Sequence, residues 1–226
     1  MLIVMRAFVV LGFVAALAAC EPVPNSPVAT TPTAAAPASQ PSSRAMARSF
    51  VQVVNRTKNT NCDFNIVVDD RLDQPANAYQ TLDRDGRPVI AFTLALIADA
   101  RNEDELAFVL GHEAAHHISG HIARQQQNAV AGAVIFAGLA TLSGGDRGTI
   151  RSAQELGAQV GARSYSKNFE LEADALGTII TTRAGYDPLR GAAFFTRIPD
   201  PGDKFLGTHP PNASRLDTVR RTVAGM

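Results

Sequence analysis

The sequence predicts an α+β chain, mostly helical, with a small β-sheet or hairpin beside one decisive helix. Short alternating apolar runs of strand type end by residue 92. From residue 93 a helical pattern persists nearly to the end. The stretch 110–121, LGHEAAHHISGH, gathers four of the chain's five histidines onto a helix with its own start signal.

The elements follow in order. Residues 1–19, within MLIVMRAFVVLGFVAALAAC, have the layout of a signal peptide, with Arg6 as the positive region and an apolar run from Ala7 to Ala16 too short to span a bilayer comfortably. Leu17-Ala18-Ala19-Cys20 resembles a bacterial lipobox, in which the cysteine is lipidated and becomes the new N-terminus. An ordinary signal peptide or an uncleaved anchor is the alternative. Glu21, rather than Asp, follows Cys20, which points to the outer membrane on its periplasmic side. Several acyl chains at about 0.8 kcal/mol per buried methylene make a firm anchor. Residues 20–43 are then the lipidated cysteine and a Pro/Ala/Ser/Thr-rich tether that cannot build a core. The folded domain is expected over 44–226. Cys62 is left either as a buried thiol or as a thiol that pairs with another protein.

Within the domain, 44–56 reads as a first helix and Phe64 to Val68 as a strand. Asn77–Leu82 and Pro88–Phe92 flank the turn signal Asp83-Arg84-Asp85-Gly86-Arg87 and read as a hairpin. Asn102 followed by Glu105 starts a helix near Glu103, and the apolar run Leu106 to Leu110 marks that helix as buried. Residues 129–143, AVAGAVIFAGLATLS, are apolar but short of a spanning length, which predicts a buried or interfacial helix rich in small residues. Another helix starts around Ser166 and stops at Gly185, one follows Pro188, and the last runs from Ala213 to Val223. There are 21 Lys+Arg and 21 Asp+Glu, so nothing electrostatic favours nucleic acid as a partner.

His112-Glu113-x-x-His116 carries the chemistry. Residues four apart share a helix face about 5–6 Å apart, so both imidazoles reach one zinc ion at about 2.0–2.1 Å. Glu113 then stands beside the metal, able to hold a water and take its proton. The pattern is the signature of zinc metalloproteases. At about 100° per residue His121 falls nearly opposite His112, and His117 a quarter-turn from His116. Both are read as supporting or packing histidines. A third ligand has to come from elsewhere. In FELEAD, Glu170 and Asp174 share a face while Glu172 points away, so Glu170 can meet the zinc and Asp174 can accept a hydrogen bond from a ligand imidazole.

HExxH followed by Tyr165-Ser166-Lys167-Asn168-Phe169-Glu170-Leu171-Glu172-Ala173-Asp174 resembles the HtpX-like and CAAX prenyl protease-type gluzincins. The Asn102–Ala107 stretch, the Asn77-Ala78 pair, and His209-Pro210-Pro211 followed by Arg215 fit the same pattern, so the likeness covers roughly residues 45–220. Lys167 departs from it, standing where the family commonly has Arg. The resemblance implies a zincin-like metallopeptidase domain with one zinc held by His112, His116 and Glu170, Glu113 as general base and Asp174 behind the ligands. It also implies that a substrate peptide adds to a sheet edge, for which the 88–92 strand is the nominee. His209 is open between a fourth zinc ligand, an oxyanion stabiliser and a loop residue. Arg215 is open between oxyanion stabiliser and partner of a structural carboxylate. Relative to the family, the chain reads as a minimal lipid-tethered form without the transmembrane helices or helical repeats of some members. The expected function is zinc-dependent hydrolysis of misfolded or unassembled envelope proteins, in contact with polypeptide substrates and envelope assembly machinery. The alternative is a zinc-bound but latent chaperone or assembly factor of the outer membrane.

Overall fold

Val89 to Phe92 are buried one after another, without the in–out alternation of a half-exposed strand, and that continuous burial belongs to a central strand. The computed structural model describes residues 43–58, 64–164, 166–204 and 207–226, all within the compact unit Ser39–Met226. The expected leader, Cys20, the tether up to residue 42, and Cys62 lie outside the described residues. Helix α1 (Ser43–Lys58) precedes β1 (Asn65–Asp69), β2 (Ala78–Leu82) and β3 (Pro88–Thr93). The sheet order is β1-β3-β2, with β1 parallel and β2 antiparallel to β3. The expected hairpin is present: Asp83 N and Gly86 N bond Arg87 O and Asp83 O at 2.9 and 3.0 Å. The nomination of 88–92 as a free edge is corrected, because β3 is paired on both sides and β2 is the edge strand.

Thr93 ends the sheet and caps α2 (Leu94–Asp99), its hydroxyl accepting from Leu96 N. Then comes α3 (Glu103–Ile118), capped by Asn102, whose side chain accepts from Glu105 N at 3.0 Å. Leu106, Ala107, Phe108, Leu110, Ala114 and Ala115 are almost wholly buried. A helix apolar on several sides is a core helix. Leu106, Leu110 and Ala114 join Met46, Phe50, Ile90 and Phe92 in one cluster. Phe108 turns the other way, into a second cluster with Ala192, Phe195 and Val219. The first turn is tied down by charge as well: Asp104 pairs with Arg190 and accepts Asp187 N, and Glu105 pairs with Arg197.

The remaining helices are α4 (His121–Leu142), α5 (Arg147–Ser164), α6 (Ser166–Arg183), α7 (Pro188–Ala192) with a 3-10 turn Ala193–Thr196, and α8 (Asn212–Ala224). Helices α4 and α5 form a hairpin in contact backbone to backbone. A Cβ added at Gly132 would lie 2.1 Å from Gly157 O, and one at Gly161 would lie 2.0 Å from Asn128 O. The expectation of a buried or interfacial helix over 129–143 meets a helix whose inner side is only partly covered by α5. Val130, Val134, Ile135, Leu139 and Leu142 are exposed. Helices α3 and α6 meet as closely: a Cβ on Gly177 would lie 2.9 Å from His112 N, and one on Gly111 2.9 Å from Gly177 O.

These two environments predict opposite effects of one methyl group. Gly177→Ala has to push α6 off α3, at a cost of about 1–3 kcal/mol. Gly138→Ala, on α4 with nothing within 4 Å of the new carbon, should gain up to about 1 kcal/mol from helix propensity. Urea midpoints of the two variants against wild type measure both signs.

Candidate metal centre

Each turn of α3 and α6 near Gly111 and Gly177 brings polar side chains into the space between them. On α3, spacing of four puts His112 and His116 side by side, their Nε2 atoms 3.0 Å apart. Glu170 on α6 reaches both: its Oε2 lies 3.5 Å from His112 Nε2 and its Oε1 3.4 Å from His116 Nε2. One ligand atom from each of these three residues falls within 4.8 Å of the others. Two nitrogens bound at about 2.0–2.1 Å to a tetrahedral ion would be about 3.3 Å apart, and two His plus one carboxylate is an established three-ligand zinc set that leaves a position open. The donors therefore fit zinc in type and in spacing.

Behind the imidazoles stand groups that set their tautomers. Asp174 Oδ1 is 2.9 Å from His112 Nδ1, so that nitrogen is the one that retains its proton and Nε2 the one that can lose its proton to bind a metal. Arg215 on α8 grips the same carboxylate with two bonds of 2.7 Å, Nε to Oδ2 and Nη2 to Oδ1. Arg215 thus contacts a structural carboxylate and also lines the cavity that opens over this cluster. Its guanidinium also lies 3.5 Å from Glu170 Oε2. Burial pushes the Asp174 carboxyl up, but Arg215 and His112 outweigh it and hold the group below its ordinary range. For His112, burial pushes down, yet Asp174 and Glu170 prevail and raise its pKa to about 9. Glu170 is likewise held well below the usual range by the three imidazoles of His112, His116 and His209, against its own burial.

His116 has a different support, His121, which was expected as a supporting or packing histidine but not in this place. The expectation that His121 lies opposite His112 assumed one continuous helix. Instead α3 stops at Ile118, Gly120 takes a left-handed conformation (φ 64°), and α4 starts at His121. The break swings His121 back, so that its Nδ1 lies 2.8 Å from His116 Nδ1. With its proton on Nδ1, His116 donates to His121 and keeps Nε2 bare. Glu172, which helical geometry sends away from Glu170, comes within 3.3 Å of His121 Nε2, in ion-pair range though poorly aligned, and binds Arg124 at 2.9 Å. Phe169 stacks on the His121 ring. The signal was in the sequence: Gly120, preceded by two histidines in the last turn, is a helix-stop pattern. His117 packs as a structural residue, stacked on Phe64 with Nε2 3.3 Å from Val89 O.

A cavity of about 680 Å³ opens over this cluster. Glu113 lines it beside His112 and His116, and burial raises its carboxyl above the ordinary value against the pull of both imidazoles. Ala76 to Gln80, the approach to β2 and its first half, also line it, as do Phe194 and Ile198. His209 borders the cavity with Nδ1 3.2 Å from Glu170 Oε2 and 55% of its side chain exposed. Lys167, the departure noted above, pairs with Asp203 and donates to Lys204 O, so the lysine does make an ion pair.

A mostly helical domain in which an HExxH helix faces a carboxylate across a cleft belongs to the zincin-like class of metallopeptidase folds. Comparison with known proteins narrows this. The description "Peptidase family M48" matches residues 37–223, and the chain belongs to that family. It is 34% identical over 154 residues to the beta-barrel assembly-enhancing protease of Yersinia pestis, covering 58% of this chain and 30% of that protein. With the protein of the same name from Escherichia coli K12 the identity is 30% over the same shares. The mitochondrial metalloendopeptidase OMA1 of Arabidopsis thaliana is 28% identical over 131 residues, 56% of this chain and 26% of that protein. The match thus spans under a third of these relatives' own length.

The Arg215–Asp174 contact predicts a large loss on truncation. Arg215→Ala leaves the buried Asp174 carboxylate with His112 as its remaining partner and should cost about 3–5 kcal/mol. Arg220→Ala, five residues on and exposed, should stay within about 0.5 kcal/mol. Chemical denaturation of the metal-free proteins gives both values.

Proposed function

We propose that this protein is a zinc-dependent metalloendopeptidase, with His112, His116 and Glu170 as the ligands of one zinc ion and Glu113 as the general base. The observation that carries the reading is the convergence of two imidazoles and one carboxylate from separate helices with Glu113 on the same cavity wall. Membership of peptidase family M48 and the printed names of the relatives support it. When bound, zinc supplies a Lewis acid that polarises a peptide carbonyl and acidifies water. Glu113 takes the proton of the attacking water and passes it to the leaving amine. Its burial, which raises its proton affinity, suits a group that has to accept and then release a proton near neutral pH. Asp174 holds His112 and the His121–Glu172 pair holds His116, each fixing a ring so that Nε2 faces the ion. Arg215 keeps Asp174 ionised.

The substrates in this reading are extended polypeptides. Ala78 to Gln80 of the edge strand β2 line the cavity, and an extended peptide can bind a free edge by strand addition. Residues 1–19 as a leader, Cys20 as the lipidated residue and 20–43 as a tether would hold the domain, 44–226, at the periplasmic side of the outer membrane. Relatives named for enhancing β-barrel assembly favour misfolded or unassembled envelope proteins as targets and envelope assembly machinery as neighbours.

A second reading has one observation behind it. His209 stands within 3.2 Å of the Glu170 carboxylate, close enough to occupy the open coordination position and keep the protein as a zinc-bound, latent assembly factor. Two substitutions separate the readings. Glu113→Gln in the full chain should retain one zinc by metal analysis and lose casein cleavage by about 10²–10⁴-fold; wild-type rates in this variant would remove Glu113 from the chemistry. His209→Ala should raise casein cleavage if the residue plugs the site. If neither wild type nor His209→Ala cuts casein with zinc bound, yet both bind it, the assembly-factor reading gains and His209 is not what keeps the site idle.

A further inference from the structure

From Gln125 to Gly145 the chain carries no charged residue. Helix α4 covers nearly all of this stretch, and its inner side is partly covered through the glycine contacts with α5. Its outer side is apolar and bare. Val130, Val134, Ile135, Leu139 and Leu142 are 64, 67, 59, 59 and 86% exposed. At 100° per residue these positions fall in one half of the helix circumference. Contiguous exposed apolar surface of this kind marks a docking surface rather than ordinary scatter.

Two features point to a lipid surface as the occupant. First, the outer face offers almost no hydrogen-bonding side chain, Thr141 excepted, whereas protein interfaces are oriented by roughly one hydrogen bond per 100–200 Å² and a polar rim. A bilayer interface asks only for apolar area. Second, the chain before the domain ends at a candidate lipidated residue. The tether from Cys20 to Ser43 spans at most roughly 80 Å when fully extended. A bilayer would therefore always be within reach of the hairpin. No helix among the described residues is long and apolar enough to cross a membrane, so the face would lie in the surface rather than span it.

We propose that the α4–α5 hairpin lays the outer face of α4 into the surface of a phospholipid bilayer. The proposal rests on the envelope-anchored reading above. Helix α4 starts at His121, behind the candidate metal centre, and rises about 1.5 Å per residue. Insertion of residues 130–142 therefore holds the cavity roughly 15–30 Å from the apolar contact along the helix. The device would present the cleft to polypeptides at the membrane surface.

The chain contains no tryptophan, so one introduced residue reports its own surroundings. The test uses the full lipidated chain with Leu139→Trp, and Leu72→Trp, 90% exposed in the β1–β2 loop, as control. Each is placed on phospholipid vesicles with and without brominated acyl chains. The expected result is a blue-shifted Leu139→Trp emission that bromine quenches, with Leu72→Trp unshifted and unquenched. An unshifted Leu139→Trp emission overturns the proposal. So does a blue shift that bromine leaves untouched, which would mean that a second copy of the chain covers the face. Adding Cys20→Ala separates the two readings. Flotation of the Cys20 chain with an unquenched Leu139→Trp keeps the anchor and removes the hairpin contact. Equal flotation and quenching without Cys20 removes the anchor and keeps the contact.

Discussion

The Asp174 carboxylate is wholly shielded from water at the meeting point of α3, α6 and α8, and the rest of the centre depends on how that charge is met. An unpaired buried carboxylate is costly. Here Arg215 supplies two hydrogen bonds from the C-terminal helix and His112 a third from the central one. The same three bonds that make the charge tolerable also fix the His112 ring and dock α8. Local orientation of one imidazole is thus inseparable from closure of the fold by residues about a hundred positions away.

Around that constraint the packing follows two rules. Where functional side chains have to converge, the backbones come close: Gly111 and Gly177 let α3 and α6 approach until a Cβ on Gly177 would lie only 2.9 Å from His112 N. Where nothing converges on the outside, as on α4, Gly132 faces inward against α5 and branched apolar residues face outward. The usual order of a water-soluble helix hairpin is thereby inverted on one face. The inner contact is small-residue packing of the kind that needs no polar seam. The outer face is left for another surface.

The two candidate ligand histidines are supported unequally. His112 leans on a buried carboxylate already neutralised by arginine. His116 leans on a neutral imidazole, since burial and the nearby His116 depress the proton affinity of His121, and the carboxylate beyond it, Glu172, is partly solvated and shared with Arg124. One imidazole is therefore backed by a fixed anion and the other by a polarisable chain ending at the surface. The chain exists only because α3 and α4 are broken at Gly120 rather than fused.

Much of this was legible without coordinates. The HExxH face, the FELEAD face, the hairpin turn and the Asn102 cap are set by interactions within four or five residues, so spacing alone reports them. Sheet order, by contrast, depends on which strand is buried on both faces, and the run 88–92 gave that role away only once β1 was seen to pair parallel to it. His121 was misplaced because helix-wheel geometry presumes an unbroken helix, and a single left-handed residue resets the phase of everything after it. For 129–143, composition revealed an apolar helix but not which half of it would be covered, since that depends on a partner helix. The sequence by itself determined which side chains are candidates for the chemistry and on which helix faces they lie, because those are properties of short-range periodicity. Only the tertiary structure decided that Arg215 meets Asp174, that His121 turns back to His116 and that α4 keeps a bare apolar side. Those contacts are made between segments whose separation along the chain leaves no local pattern to read.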